Sequence, residues 1–181
     1  MEERCAPCQR EHLGARRTRG RRTALTAIKG IGSEAVHRDR LREAERGGFR
    51  YLVLVAEGTV IGFACLVQRR PASWSDADDE HHLPQLVDLR VAEAQRGRGY
   101  GTVFVRAIEH IAAEAGSNEL YLAVEPEHNP RAFALYRRLG YRPLQAAPYR
   151  KGWAFVDSAG RQHGGDDWIV DMVKPLDGAS D

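Results

Sequence analysis

The chain contains no apolar run approaching the roughly 20 residues that cross a bilayer. Its arginine-rich beginning has no apolar segment behind it, so neither a membrane span nor a secretory leader is expected, and a cytoplasmic location is. Cysteine is scarce: three in 181 residues argue against a disulfide framework. Cys5 and Cys8 form a Cys-x-x-Cys pair followed by His12, but a closed zinc site needs four ligands and the third cysteine, Cys65, falls in a predicted strand. No metal is expected. Internal repeats are missing, as is any break in composition that would mark a second folded domain.

What is present is a globular composition, 43% hydrophobic and 29% charged, enough for one buried core. Charge is uneven. Residues 1–22 hold Arg4, Arg10, Arg16, Arg17, Arg19, Arg21 and Arg22 against Glu2, Glu3 and Glu11, a net of +4, so residues 23–181 carry −2 within the overall +2. This segment lacks apolar periodicity and is expected to be a basic, disordered extension. Arginines of this density can contact nucleic acid or an acidic partner, but a solvated extension accounts for them, and nucleic acid is not an expected partner. Residues 23–181 are expected to form a single domain.

The strongest local signal is Arg96-Gly97-Arg98-Gly99-Tyr100-Gly101-Thr102. It follows an apolar segment, Leu86 to Val91, that reads as a strand, and precedes Val103 to Ala115, which reads as a helix. The amide N–H groups at a helix start lack partners, and glycines let a phosphate approach them closely. The loop therefore suggests a nucleotide-bearing cofactor. Two familiar cradles are excluded by spacing. No lysine follows the glycines as a Walker loop requires, and Gly97, Gly99 and Gly101 alternate strictly where a dinucleotide fold needs Gly-x-Gly-x-x-Gly with an acidic residue about 20 positions on.

Elsewhere, Ser33 to Arg46 predicts a charged helix, and Arg50 to Ala56 and Thr59 to Gln68 predict two strands joined by a Glu57-Gly58 hairpin turn. Arg69 to Pro84 reads as a long loop whose Asp76-Ala77-Asp78-Asp79-Glu80-His81-His82 run is acidic, and loops of this length are often functional. Phe104, Ile108, Ile111 and Ala115 form a core stripe on the helix after the glycines. Glu119 to Glu125 predicts a strand. Trp153 to Val156 and Trp168 to Val173 predict closing strands around a turn at Asp157 to Gly160. Between them lies Asn129 to Tyr141, where asparagine suits an N-cap, Pro130 the first helical position and Gly140 a left-handed stop. Ala132, Leu135, Tyr136 and Leu139 share one face of that helix, which carries Tyr136 inward. The architecture expected from these elements is α/β.

Together, the Arg96–Gly101 loop and the set Asn129, Ala132, Tyr136, Gly140 and Tyr141 resemble the two motifs of the GNAT superfamily of acyl-CoA-dependent N-acetyltransferases, over about residues 50 to 175. The resemblance implies a mixed, mostly antiparallel central sheet flanked by helices on both faces. It implies acetyl-CoA as acyl donor, with the backbone of Leu89, Arg90 and Val91 holding the pantetheine arm. The N–H groups of Gly97, Arg98, Gly99, Tyr100, Gly101 and Thr102 would hold the pyrophosphate, with Arg96 and Arg98 flanking it and Asn129 near the cofactor. Tyr136 is implied as the general acid at the departing sulfur, a role a phenol that is protonated at neutral pH can fill.

Acetyl transfer also needs a group to accept the proton of the attacking amine. Asp88 and Glu125 are the candidates. Some polyamine acetyltransferases of the family carry a glutamate one position earlier, where this chain has Val87, and adjacent strand residues ordinarily face opposite sides of a sheet. The acidic loop and the negative balance of residues 23–181 favour a small cationic amine as acceptor. A protein N-terminus or lysine is the alternative, and a catalytically silent acyl-CoA sensor is an alternative of another class. A homodimer is expected only by analogy with the family.

Overall fold

In the computed structural model the described residues are 34–47, 49–68, 84–156 and 160–176. The basic extension with Cys5, Cys8 and His12, the acidic stretch 76–82 and the turn residues 157–159 lie outside them. Helix α1 (Glu34–Glu45) leads into the hairpin β1 (Phe49–Ala56) and β2 (Thr59–Val67). Its two-residue turn places Glu57 at φ 50° and Gly58 at φ 75°, the positive pair that matches the twist of adjoining strands. Strand β3 (Gln85–Val91), one 3-10 turn at Glu93–Gln95, α2 (Tyr100–Glu114), β4 (Glu119–Val124) and α3 (Pro130–Arg138) follow. The short β5 (Arg142–Pro143), β6 (Tyr149–Val156) and the long β7 (Gln162–Pro175) close the chain.

The strand order is β1-β2-β3-β4-β7-β5, with β6 also paired to β7. Only β3 and β4 run parallel, as expected of a crossover that carries a helix. Helices cover both faces. On one, α2 and α3 bury Phe104, Val105, Ile108, Ala112 and Tyr136 against Leu52, Leu54, Leu66, Leu86, Leu120, Leu122 and Met172. On the other, Leu41 and Ala44 of α1 pack on Phe49, Tyr51, Phe63, Cys65 and Val67. Being covered twice, β2 is buried continuously from Ile61 to Val67, which explains its unbroken apolar run.

Three expectations need correction. Helix α2 begins at Tyr100 rather than Val103, because Gly99 is its N-cap. Its buried stripe is Phe104, Val105, Ile108 and Ala112, with Ile111 half-buried and Ala115 exposed. The Asn129 side chain makes no capping hydrogen bond; its backbone carbonyl instead accepts from Ala132 and Phe133 at 3.0 and 3.1 Å. No helix among the described residues is long and apolar enough to cross a membrane.

Candidate active site

The glycine-rich loop joins the end of β3 to the start of α2, and its three glycines do different work. Gly97 and Gly99 sit at φ +76° and +82°, with open space where a Cβ would point, so backbone conformation is what requires glycine there. Gly101 lies inside the first helical turn, and a Cβ there would come 3.3 Å from Leu135 Cδ2, so its small size lets α2 approach α3. The Val103 N–H donates to the Gly99 carbonyl at 3.1 Å as the first bond of the helix, leaving the amides of Tyr100, Gly101 and Thr102 without intrahelical acceptors. No acidic residue stands in that turn. An anion meets unpaired donors and the positive end of a helix dipole there. Arg96 Nε donates to the Val91 carbonyl at 3.1 Å, bracing the loop against β3, while Arg98 is exposed.

Beside the loop the sheet opens. β3 and β4 are paired only at Gln85–Tyr121 and Leu86–Leu122, although the strands continue to Val91 and Val124. The β4-facing edge of Leu89 to Val91 therefore has no strand partner. Opposite β2, Phe63 pairs with Arg90 and Cys65 with Val87, so β3 carries one extra residue, a bulge, and Asp88 adopts φ 55°. Bulges re-aim side chains. Leu86, Leu89 and Val91 pack on the α2/α3 side, whereas Val87 packs on the α1 side and Asp88 Oδ2 lies 2.6 Å from the guanidinium of Arg40 in α1. Val87 and Asp88 thus share a face, contrary to the alternation expected from a regular strand.

Tyr136 approaches from the other side. Only 6% exposed, its ring stands edge-on to Tyr141 at 5.7 Å, and burial pushes its pKa up to about 12. The phenol therefore keeps its proton through the neutral range. Among the described residues, none hydrogen-bonds its hydroxyl. Tyr141 is pushed up further, first by burial and then by the facing Glu109 carboxylate, which Lys174 neutralises at 2.7 Å. Asn129 is exposed just before α3. Glu125 at the end of β4 is engaged by His128 at 3.1 Å. Arg131, Arg137 and Arg138 are exposed, and Arg137 lies over the Phe133 ring at 6.0 Å. Among the described residues no cluster of three or more His, Cys, Asp or Glu side chains is placed to hold a metal.

The open strand edge, the acid-free helix start and the two glycines with space above them fit a long extended arm joined to a pyrophosphate, as in acyl-CoA. The structure is thus an α/β domain whose mixed sheet splays beside a glycine-rich loop at a helix start. The chain belongs to the acetyltransferase (GNAT) family, whose signature matches residues 22–141. It is 32% identical over 100 residues to streptothricin acetyltransferase of Streptomyces lavendulae, across 55% of this chain and 48% of that protein. To an uncharacterized N-acetyltransferase of Bacillus subtilis, YobR, it is 35% identical over 65 residues, across 36% of this chain and 26% of that protein. The chain therefore spans about a quarter to a half of the length of these curated relatives. The fold is similar to that of a phosphinothricin acetyltransferase from Sinorhizobium meliloti solved in complex with acetyl-CoA, with a TM-score of 0.54, 19% identity, and coverage of 87% of this chain and 81% of that one.

The reach of Arg40 to Asp88 was not legible, since Arg40 is one of three arginines in a helix of alternating charge. The bulge at Asp88 was equally hidden, because it arises from the register between two strands.

Proposed function

We propose that the protein is an acetyl-CoA-dependent N-acetyltransferase acting in the cytoplasm on a primary amine of a small cationic molecule, with residues 23–181 as one catalytic domain. The observation that carries this reading is the opening between β3 and β4, with Asp88 on its α1 side and Tyr136 among the residues of its α2/α3 side. Acetyl-CoA supplies an acetyl thioester and a thiolate leaving group. The amides of Tyr100 to Thr102, with Gly97 and Gly99 giving clearance, bind the pyrophosphate, and the backbone of Leu89 to Val91 aligns the pantetheine arm. Arg98 and Asn129, exposed at the rim, contact its polar groups. Asp88 takes up the proton of the amine, directly or through water, and the Tyr136 hydroxyl delivers its own toward sulfur.

Support for a cationic acceptor comes from the net charge of −2 on residues 23–181 and from the carboxylate facing the α1 side. The test is release of free CoA thiol across a panel of polyamines, aminoglycosides and short peptides, with wild type and Tyr136→Phe side by side. We expect turnover with one cationic class, a fall in kcat of about 10²-fold in the variant, and acetyl-CoA affinity within about twofold. Unchanged turnover would remove Tyr136 from the mechanism. Preference for the peptides would move the acceptor to a protein amine.

A further inference from the structure

We propose that Arg40 is a specificity-determining residue, its guanidinium holding at the Asp88 carboxylate the place that the acceptor's cationic amine takes on binding. This rests on the assignment of Asp88 to the acceptor side. Three observations support it. First, Asp88 is turned out of the regular strand by the bulge and held at φ 55°, a conformation that costs free energy for any residue with a Cβ and persists only where the surroundings enforce it. The carboxylate is thereby aimed to the α1 side at the level where β3 and β4 part. Second, a cation already sits on it, since Arg40 lies 2.6 Å away from the facing helix. Two other arginines of that segment lie near carboxylates of the same segment, Arg42 at 3.8 Å from Asp39 and Arg46 at 3.1 Å from Glu43, whereas Arg40 reaches across to the sheet.

Third, the pair is open to exchange. The side chains of Arg40 and Asp88 are 34% and 29% exposed, and the Asp88 Oδ2 that the guanidinium covers is buried without a hydrogen bond, an acceptor still open to a better-aligned donor. Ion pairs that reach solvent hold weakly, whereas a fully buried pair resists separation. Among the described residues, Tyr51, Phe63 and Cys65 cluster on the same face of the sheet, with Tyr51 engaged by His37 at 2.6 Å. An arriving ammonium group can replace the guanidinium and leave Arg40 to solvent, whereas an acceptor whose reacting end carries no positive charge cannot. The occupied fraction of the site then lowers the apparent affinity for the acceptor in proportion.

The experiment compares wild type, Arg40→Gln and Arg40→Lys, using 1,4-diaminobutane and a zwitterionic amino acid as probes. KM and kcat come from thiol release, and equilibrium binding from calorimetry in the presence of CoA. Removing the charge is expected to lower both KM and the dissociation constant of the diamine about three- to fivefold, with a smaller change in kcat, while Arg40→Lys stays near wild type. Weaker binding of the amino acid in Arg40→Gln, with the diamine unaffected, would mean that Arg40 receives an acceptor carboxylate, and would overturn the proposal. So would a lower melting temperature with KM unchanged or raised, the mark of a purely structural arginine. Should Arg40→Gln fail to fold, Arg40→Met keeps the apolar stem and reports the same constants. Tighter diamine binding without turnover of any amine would uphold the acceptor site and sink the enzymatic reading. Tyr136-dependent turnover with both constants unmoved by Arg40→Gln would sink this proposal alone.

Discussion

At the scale of single residues, the two reaction candidates differed in how legible they were. Tyr136 is recoverable from sequence because its helix is delimited by Asn129-Pro130 and Gly140 and carries an apolar stripe that turns the ring inward, as found. Asp88 is not. Strand alternation assigns it the face opposite Val87, and only the extra residue between the Cys65–Val87 and Phe63–Arg90 pairs brings both to the α1 side. A bulge is a property of two strands in register, so nothing in a single strand's pattern announces it. Replacing Asp88 with Asn keeps the shape and removes the proposed proton acceptor, so kcat/KM for the amine is expected to fall about 10²-fold, with acetyl-CoA affinity retained. A pH–rate profile identical to wild type would take Asp88 out of the chemistry.

At the scale of elements, the glycine loop and the helix behind it are one device. The amides of Tyr100 to Thr102 are available only if α2 starts where it does, and that start depends on Gly99 at φ +82°. An alanine there costs about 1–2 kcal/mol in the left-handed region and favours fraying of the first turn. We expect Gly99→Ala to weaken acetyl-CoA at least tenfold by calorimetry. Gly101→Ala should act differently, because its Cβ meets only the flexible tip of Leu135 at 3.3 Å. Its effect should be a small loss of thermal stability with affinity nearly kept, and equal losses of affinity in both variants would refute this division of labour. The same region shows why boundaries were partly unreadable. Tyr100, Gly101 and Thr102 are poor helix formers, so apolar periodicity begins only at Val103. The two-residue β5, Arg142-Pro143, and the exposed start of β7, from Gln162 to Asp166, present no alternation at all, whereas β1, β2 and β4 bury enough of their length to be recognised from composition.

At the scale of the whole molecule, ionisable groups are buried on both faces of the sheet, and all of those with a resolved shift and substantial burial move the same way. Cys65 and Tyr51 on the α1 side are pushed up mainly by burial and then by neighbouring charge, as Tyr141 is on the other. Tyr136 is raised by burial alone, from 10.0 to about 12. Each is neutral in the folded protein at pH values where the unfolded chain would be ionised. The unfolded state then binds fewer protons, so stability falls as pH rises. Full stability is expected below about pH 8, where an exposed Cys65 thiol, with an ordinary pKa of about 8.5, would still be largely protonated. Loss should steepen above 10 as the tyrosines join, each contributing at most about 1.4 kcal/mol per pH unit while its two states differ in charge. Chemical denaturation at pH 7, 9, 10 and 11 measures the trend, and a flat midpoint across that range would contradict it. Tyr136→Phe lets function and stability be separated in one variant. Because no described residue hydrogen-bonds the hydroxyl, its removal should leave the unfolding free energy at pH 7 within about 1 kcal/mol of wild type. Between pH 10 and 12 the variant should lose stability less steeply, having one fewer phenol to ionise. A protein that loses turnover at pH 7 while its alkaline resistance improves would mark Tyr136 as a group kept buried for reaction rather than for folding. A large loss of stability at neutral pH would instead assign that hydroxyl to the core.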